Sequence, residues 1–261
     1  MFSTVILSLP KDYERRAHVK RHFAEIGIKR FRFETAIGWD AEPVRAAYLA
    51  GKVAQFPGCF RCFKQRCACA NNILIPSQVA NFLSFAQIWA VLAQGPLSQF
   101  TLICEDDVLF RPTALSDLYA VLKEQQNTAE PLLIRLAQSG LDPASLNAEE
   151  PAQLSNRVVM SNAAYVINGA MASYLTRHFD QITTTSDLWL HQEIAAHPEI
   201  KALTLEPLLA TDLSYNVDHA QFASRIHPKG VTEHDRRIAM AHVKRVEDEN
   251  AYQKLLQSWV G

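Results

Sequence analysis

Along this chain, short apolar runs of strand type alternate with longer stretches whose apolar residues recur at helical spacing, the pattern of a β-α-β protein. Val5, Ile6, Leu7, Ser8 and Leu9 form the first run, which Pro10 stops. Asp12 then suits a helix cap, and Val19, Phe23 and Ile26 give a buried stripe to a helix running to about Gly27. Strand character returns from Arg32 to Ile37, and Gly38 to Ala54 reads as a loop with a short helix. Between Ser77 and Ala93, the residues Val79, Phe82, Leu83, Ala86, Trp89, Ala90 and Ala93 mark a buried helix that Gly95 and Pro96 end. A helix over Leu115 to Leu122 and a strand over Leu132 to Ala137 follow, then a polar surface loop to Asn156. Arg157 to Ile167 reads as a strand, and Asn168 and Gly169 turn it into a helix through Met171, Leu175 and Phe179. In the run TTTSDLWLHQEIAAH, Ser186 suits a helix cap and Asp187 the first turn, where the macrodipole favours a negative charge. Lys201 to Leu205 and Leu208 to Thr211 supply the last strands. The expected fold is α/β, a Rossmann-type mixed sheet flanked by helices over residues 1–224, with a helical tail, 225–261, packed on it.

The stretch Thr101 to Phe110, TLICEDDVLF, ends an apolar strand in three successive carboxylates. Open α/β sheets bind ligands at strand carboxyl ends, where Glu105, Asp106 and Asp107 fall. Alternation along an extended chain would put Glu105 and Asp107 on one face, able to share a divalent cation, with Asp106 opposite. A solvated turn is the competing reading. Ser8 and Leu9, at the end of the first strand, with Arg15 and Arg16 just past it, are candidate diphosphate contacts, since guanidinium forks suit phosphate oxygens. A solvated helix face is the alternative for the two arginines. Asp187 has its own bland role as a first-turn carboxylate, and Asp212, Asp218, His219 and His227 are loop groups able to complete a metal site or simply to face solvent.

Composition adds little except at two places. The chain has 261 residues, 48% hydrophobic, and 26 Lys and Arg against 27 Asp and Glu, a balance that excludes a general nucleic-acid binder. Four of the five cysteines lie within eleven residues, Cys59, Cys62, Cys67 and Cys69, in an insertion at about 55–72. The spacing of Cys59 and Cys62 suits two thiolates on one ion, so a structural zinc is expected, with an iron-sulfur cluster, reduced thiols or a redox disulfide as alternatives. Between Arg225 and Arg245, six Lys or Arg and three His stand against two acidic residues, a basic strip that is either a solvated helix face or suited to peripheral contact with anionic lipid at the inner face of the plasma membrane. Val5 to Leu9 is too short for a signal peptide or a membrane span, which places the expectation in the cytoplasm.

Four segments resemble glycosyltransferase family 25, the lipooligosaccharide and collagen galactosyltransferase type. They are VILSLPKDYERR with its helix and FETAIG, then LIPSQVANFLSFAQIWAVLA, then TLICEDDVLF, and AAYVINGAMASYL followed by SDLWL. The resemblance implies a GT-A-like fold and a metal-dependent transferase, with Glu105, Asp106 and Asp107 at Mn2+ or Mg2+ and the donor diphosphate. It further implies transfer of a galactose-type sugar from a UDP-sugar to a bacterial surface polysaccharide or lipooligosaccharide, with inversion. Asp187 matches where the family places an acidic residue facing the acceptor and is the expected base, with Glu193 as fallback. Ser77 and Gln78 stand where the family has Gly-Glu, and Ser84 and Phe85 where it has Ser-His. The competing functions are a zinc-stapled binding module without catalysis and a metal-dependent phosphohydrolase.

Overall fold

The computed structural model describes residues 2–54, 74–126, 128–147, 150–214, 222, 253–254 and 257–258. Among these described residues there are nine strands: β1 (Ser3–Ser8), β2 (Arg32–Thr35), β3 (Phe100–Glu105), β4 (Val108–Phe110), β5 (Leu132–Arg135), β6 (Gln153–Ser155), β7 (Ala164–Asn168), β8 (Lys201–Glu206) and β9 (Ala210–Asp212). Seven of them form one sheet in the order β2-β1-β3-β7-β5-β8-β6. β1 pairs parallel with β2 and β3, β7 enters antiparallel between β3 and β5, β8 runs parallel to β5, and β6 closes the edge antiparallel. β4 and β9 form a separate antiparallel ribbon. This is the mixed α/β sheet that the alternation of patterns predicts.

Helices α1 (Tyr13–Glu25), α2 (Glu42–Leu49), α3 (Pro76–Leu92), α4 (Ala114–Glu124), α5 (Gly169–His178) and α6 (Ser186–Ala196) cover the sheet. Alternate side chains of β1, β3, β5 and β7 enter separate cores, as strands buried on both faces require. Val5, Leu7, Ile103, Leu133, Tyr165 and Ile167 pack against α2, α3, α5 and α6. Ile6, Leu102, Cys104, Ile134, Ala164 and Val166 pack against α1 and α4. In the first core Trp89 stacks on Phe85 and Trp189 and donates from Nε1 to the Tyr165 hydroxyl at 3.0 Å, which locks α3 beneath β7. Asn168 caps α5, its Oδ1 accepting from Met171 N at 2.9 Å and from Leu132 N at 3.1 Å. Glycine is required next to it: a Cβ on Gly169 would strike the carbonyl of Pro96.

The strand expected from Arg157 is confined to Ala164–Asn168, because Ser161 and Asn162 turn the chain through side-chain bonds instead. Ser161 Oγ takes Ala163 N at 3.1 Å, and Arg135 Nη1 donates to Ser161 O and Asn162 Oδ1. β6 lies inside the stretch read as a surface loop, and three residues are too few to display a period of two. Ser186 is not the cap of α6. Thr185 occupies that position, and the Ser186 hydroxyl is turned inward toward Asn81. Asp12 stands at the head of α1 without a side-chain cap bond.

Cys59, Cys62, Cys67 and Cys69, with Asp218, His219 and His227, lie outside the described residues, as does most of the 225–261 tail. Among the described residues no helix is long and apolar enough to cross a membrane.

The buried His22 of α1 fastens the ribbon, since its Nε2 accepts from Phe110 N at 2.8 Å and so must be unprotonated. Burial first, and then His18 stacked above it, lower its pKa, with Glu25 opposing. The unfolded chain therefore binds a proton here before the native state does, so stability is full above about pH 6.5 and falls as pH drops below it. His22→Gln, which keeps an acceptor and cannot titrate, is expected to flatten that part of the dependence in thermal melts between about pH 7 and 5. Equal slopes for the two proteins would refute the assignment.

Candidate functional site

β3 carries Glu105 to its carboxyl end, and the chain turns through Asp106 and Asp107 before β4 starts at Val108. The expected strand-like alternation therefore stops at Glu105, and Asp106 does not point away from Asp107. Both aspartates reach one cation. Arg15 Nη1 donates to Asp106 Oδ1 at 2.7 Å and lies 3.5 Å from Asp107 Oδ2, while Nη2 donates to the Phe222 carbonyl at 2.7 Å. With 7% of its surface exposed, Arg15 is an internal counterion rather than part of a solvated helix face. The two acids outweigh burial and raise its pKa.

Arg16 turns the other way. Its Nε donates to Ser8 Oγ and its Nη2 to Ser8 O, both at 3.2 Å, and its guanidinium lies 4.8 Å from the Phe33 ring centre. It thus closes the end of β1, where Leu9 O receives Asp12 N at 3.1 Å. Leu7 is in register with Glu105, so Ser8 and Leu9 border the acidic turn.

Two further acids converge on the turn. Val108 pairs with Asp212 in the ribbon, and Leu213 N donates to Asp107 O at 2.9 Å, which sets Asp212 beside the turn as the end of a strand rather than in a loop. Asp187, in the first turn of α6, is close enough to act on both Glu105 and Arg135. Burial foremost, then Asp107, Asp212 and Asp187, push the Glu105 pKa well above the usual carboxylate range. Asp107 is pushed up to about 6, with burial the largest cause and Arg15 pulling against it. Glu193 lies apart: it pairs with His197 at 3.7 Å and acts on Tyr174.

Polar residues that sequence reasoning does not assign to the site support these acids: it does not single out Asn81, Asn162 or Arg135, and it reads Ser186 only as a helix cap. Asn81 Nδ2 donates to Glu105 Oε1 at 3.4 Å, and Ser186 Oγ donates to Asn81 Oδ1 at 2.7 Å. Behind them stand Asn162 and the fully buried Arg135, whose pKa burial lowers to about 10. An asparagine within the apolar period of α3 was the available signal, because a polar side chain on a buried stripe needs a partner.

The cluster is short of positive charge, and Asp107 Oδ1 is buried without a hydrogen-bond partner. Hard carboxylate oxygens in excess fit Mn2+ or Mg2+. Among the described residues, however, no three His, Cys, Asp or Glu side chains stand together as a complete ligand set. The donor set therefore fits an ion held by one or two carboxylates and completed by substrate phosphate and water.

A mixed sheet that gathers Glu105, Asp106, Asp107, Asp187 and Asp212 near the carboxyl end of β3, with Arg15 ion-paired among them, defines an α/β protein with an acidic face. More narrowly, the chain belongs to glycosyltransferase family 25 (LPS biosynthesis protein), whose model matches residues 1–190. It is 27% identical over 148 residues to a Glycosyltransferase 25 family member of Drosophila melanogaster, a match covering 55% of this chain and 23% of that protein. The chain thus spans under a quarter of the length of that relative. Among solved structures it aligns with a glycosyltransferase involved in the glycosylation of the major capsid of PBCV-1, at 10% identity and a TM-score of 0.38, over 93% of this chain and 99% of that one.

Proposed function

We propose that this protein transfers a sugar, of galactose type, from a UDP-sugar to a bacterial surface polysaccharide or lipooligosaccharide, with inversion at the transferred carbon. The observation that carries the reading is the meeting of Glu105, Asp107, Asp187 and Asp212 at the carboxyl end of β3 in a chain of this family. Glu105 and Asp107 are the side chains to hold Mn2+ or Mg2+, with Asp212 adding negative charge to the site rather than a third ligand. When bound, the ion offsets negative charge on the departing diphosphate. Arg15 keeps the acidic turn folded inward through Asp106. Asp187 stands on a different element from the turn, as a base facing the acceptor must, and its carboxylate takes the proton of the acceptor hydroxyl. The family's description as LPS biosynthesis proteins supports a glycolipid or polysaccharide acceptor.

Titration calorimetry with UDP, with and without Mn2+, tests the reading. Asp107→Asn keeps the side-chain volume and removes a charged ligand, so Mn2+-dependent UDP affinity is expected to fall about 10–100-fold. An intact chain that binds UDP no better with Mn2+, or an unchanged mutant, would sink the metal assignment.

A further inference from the structure

Four hydrogen bonds join the buried guanidinium of Arg135 to the carboxylate of Glu105. Arg135 Nη1 donates to Asn162 Oδ1 at 3.1 Å, Asn162 Nδ2 to Ser186 Oγ at 3.0 Å, Ser186 Oγ to Asn81 Oδ1 at 2.7 Å, and Asn81 Nδ2 to Glu105 Oε1 at 3.4 Å. The direction of every link is forced. Arginine has no acceptor, so Asn162 must present its oxygen to Arg135 and its amide to Ser186. A hydroxyl has one proton, and with Asn162 donating to it that proton goes to Asn81. Asn81 is then left with its amide facing Glu105, whose Oε1 accepts it. Reversing one member would break the bonds on both sides of it.

The chain also crosses the elements that hold the acids. Arg135 ends β5, Asn162 precedes β7, Ser186 opens α6 next to Asp187, Asn81 lies on α3, and Glu105 ends β3. Arg135, Asn162 and Ser186 are 0%, 5% and 3% exposed, so water does not compete for the first two bonds, while Asn81 and Glu105 at the other end are half-buried.

We propose that Asn81, Asn162 and Ser186, anchored by Arg135, form a positioning relay that fixes the Asp187 end of α6 relative to Glu105 and so sets the distance between the base and the donor site. The inference rests on the transfer reading of the site. None of the four touches a reacting atom, and each acts through the carboxylate it places.

Steady-state release of UDP from UDP-galactose with Mn2+ tests the relay in Ser186→Ala and Ser186→Thr beside the intact chain. Ser186→Ala is expected to lower kcat about 10–100-fold while the donor KM moves less than about threefold, the signature of a lost alignment rather than a lost binding contact. Ser186→Thr keeps the hydroxyl and is expected to recover most of the loss. A kcat unchanged in Ser186→Ala, or a loss that threonine does not recover, overturns the relay. If the intact chain itself releases no UDP, the transfer reading fails, and the side-chain amide protons of Asn162 decide the relay instead. Slow exchange in the intact chain that becomes fast in Ser186→Ala sustains it, and fast exchange in the intact chain overturns it.

Discussion

Asp187→Asn is expected to lower turnover by about two to four orders of magnitude while leaving UDP-sugar affinity nearly intact, the range associated with loss of a positioned proton acceptor. The substitution is nearly isosteric, so the neighbouring Ser186 relay and the packing of Trp189 and Leu190 into the first core stay in place. What disappears is a carboxylate in the first turn of α6, separate from the acidic turn yet near enough to influence Glu105. Measuring kcat together with donor affinity separates two outcomes. A protein that melts earlier but turns over normally would reduce Asp187 to a stabiliser of its own helix.

Arg15→Met is expected to be the most destabilising of these substitutions, costing about 3–5 kcal/mol in urea unfolding, the usual consequence of removing one partner of a buried ion pair. Methionine fills much of the volume, so the loss is electrostatic. Asp106 and Asp107 are 5% and 3% exposed, and without Arg15 they remain as buried like charges. The Phe222 carbonyl loses the Nη2 donor at the same time. A loss under about 1 kcal/mol, as for an exposed pair, would contradict this account.

The elements with many apolar positions were legible in the sequence. α3 shows its period over Val79, Phe82 and Trp89, and β1, β3 and β5 are near-continuous apolar runs, so the layered sheet could be foreseen. What escaped was set by distant partners. β4, β6 and β9 have three residues each, and exist because another strand supplies their ladder. Arg15 read as a diphosphate contact or as part of a solvated helix face, and neither reading could show the ion pair with Asp106, 91 positions downstream, that buries it. The run of three acids was legible from residue type and order, whereas Asp187 was singled out by the family resemblance. The relay could not be found that way, since Asn81, Asn162 and Ser186 lie far apart in the chain and look ordinary singly.

The family match ends at residue 190, but the folded unit does not. That residue falls inside α6, ahead of β8, which lies between β5 and β6 in the sheet, and ahead of β9, which carries Asp212 to the acidic turn. A fragment excised at the boundary of recognisable descent would leave the edge of β5 unpaired, release β4 from its only partner strand among the described residues, and remove one acid from the site. Heredity and architecture draw different borders here. The part of the chain in which ancestry is hardest to recognise is needed to finish both the sheet and its acidic face.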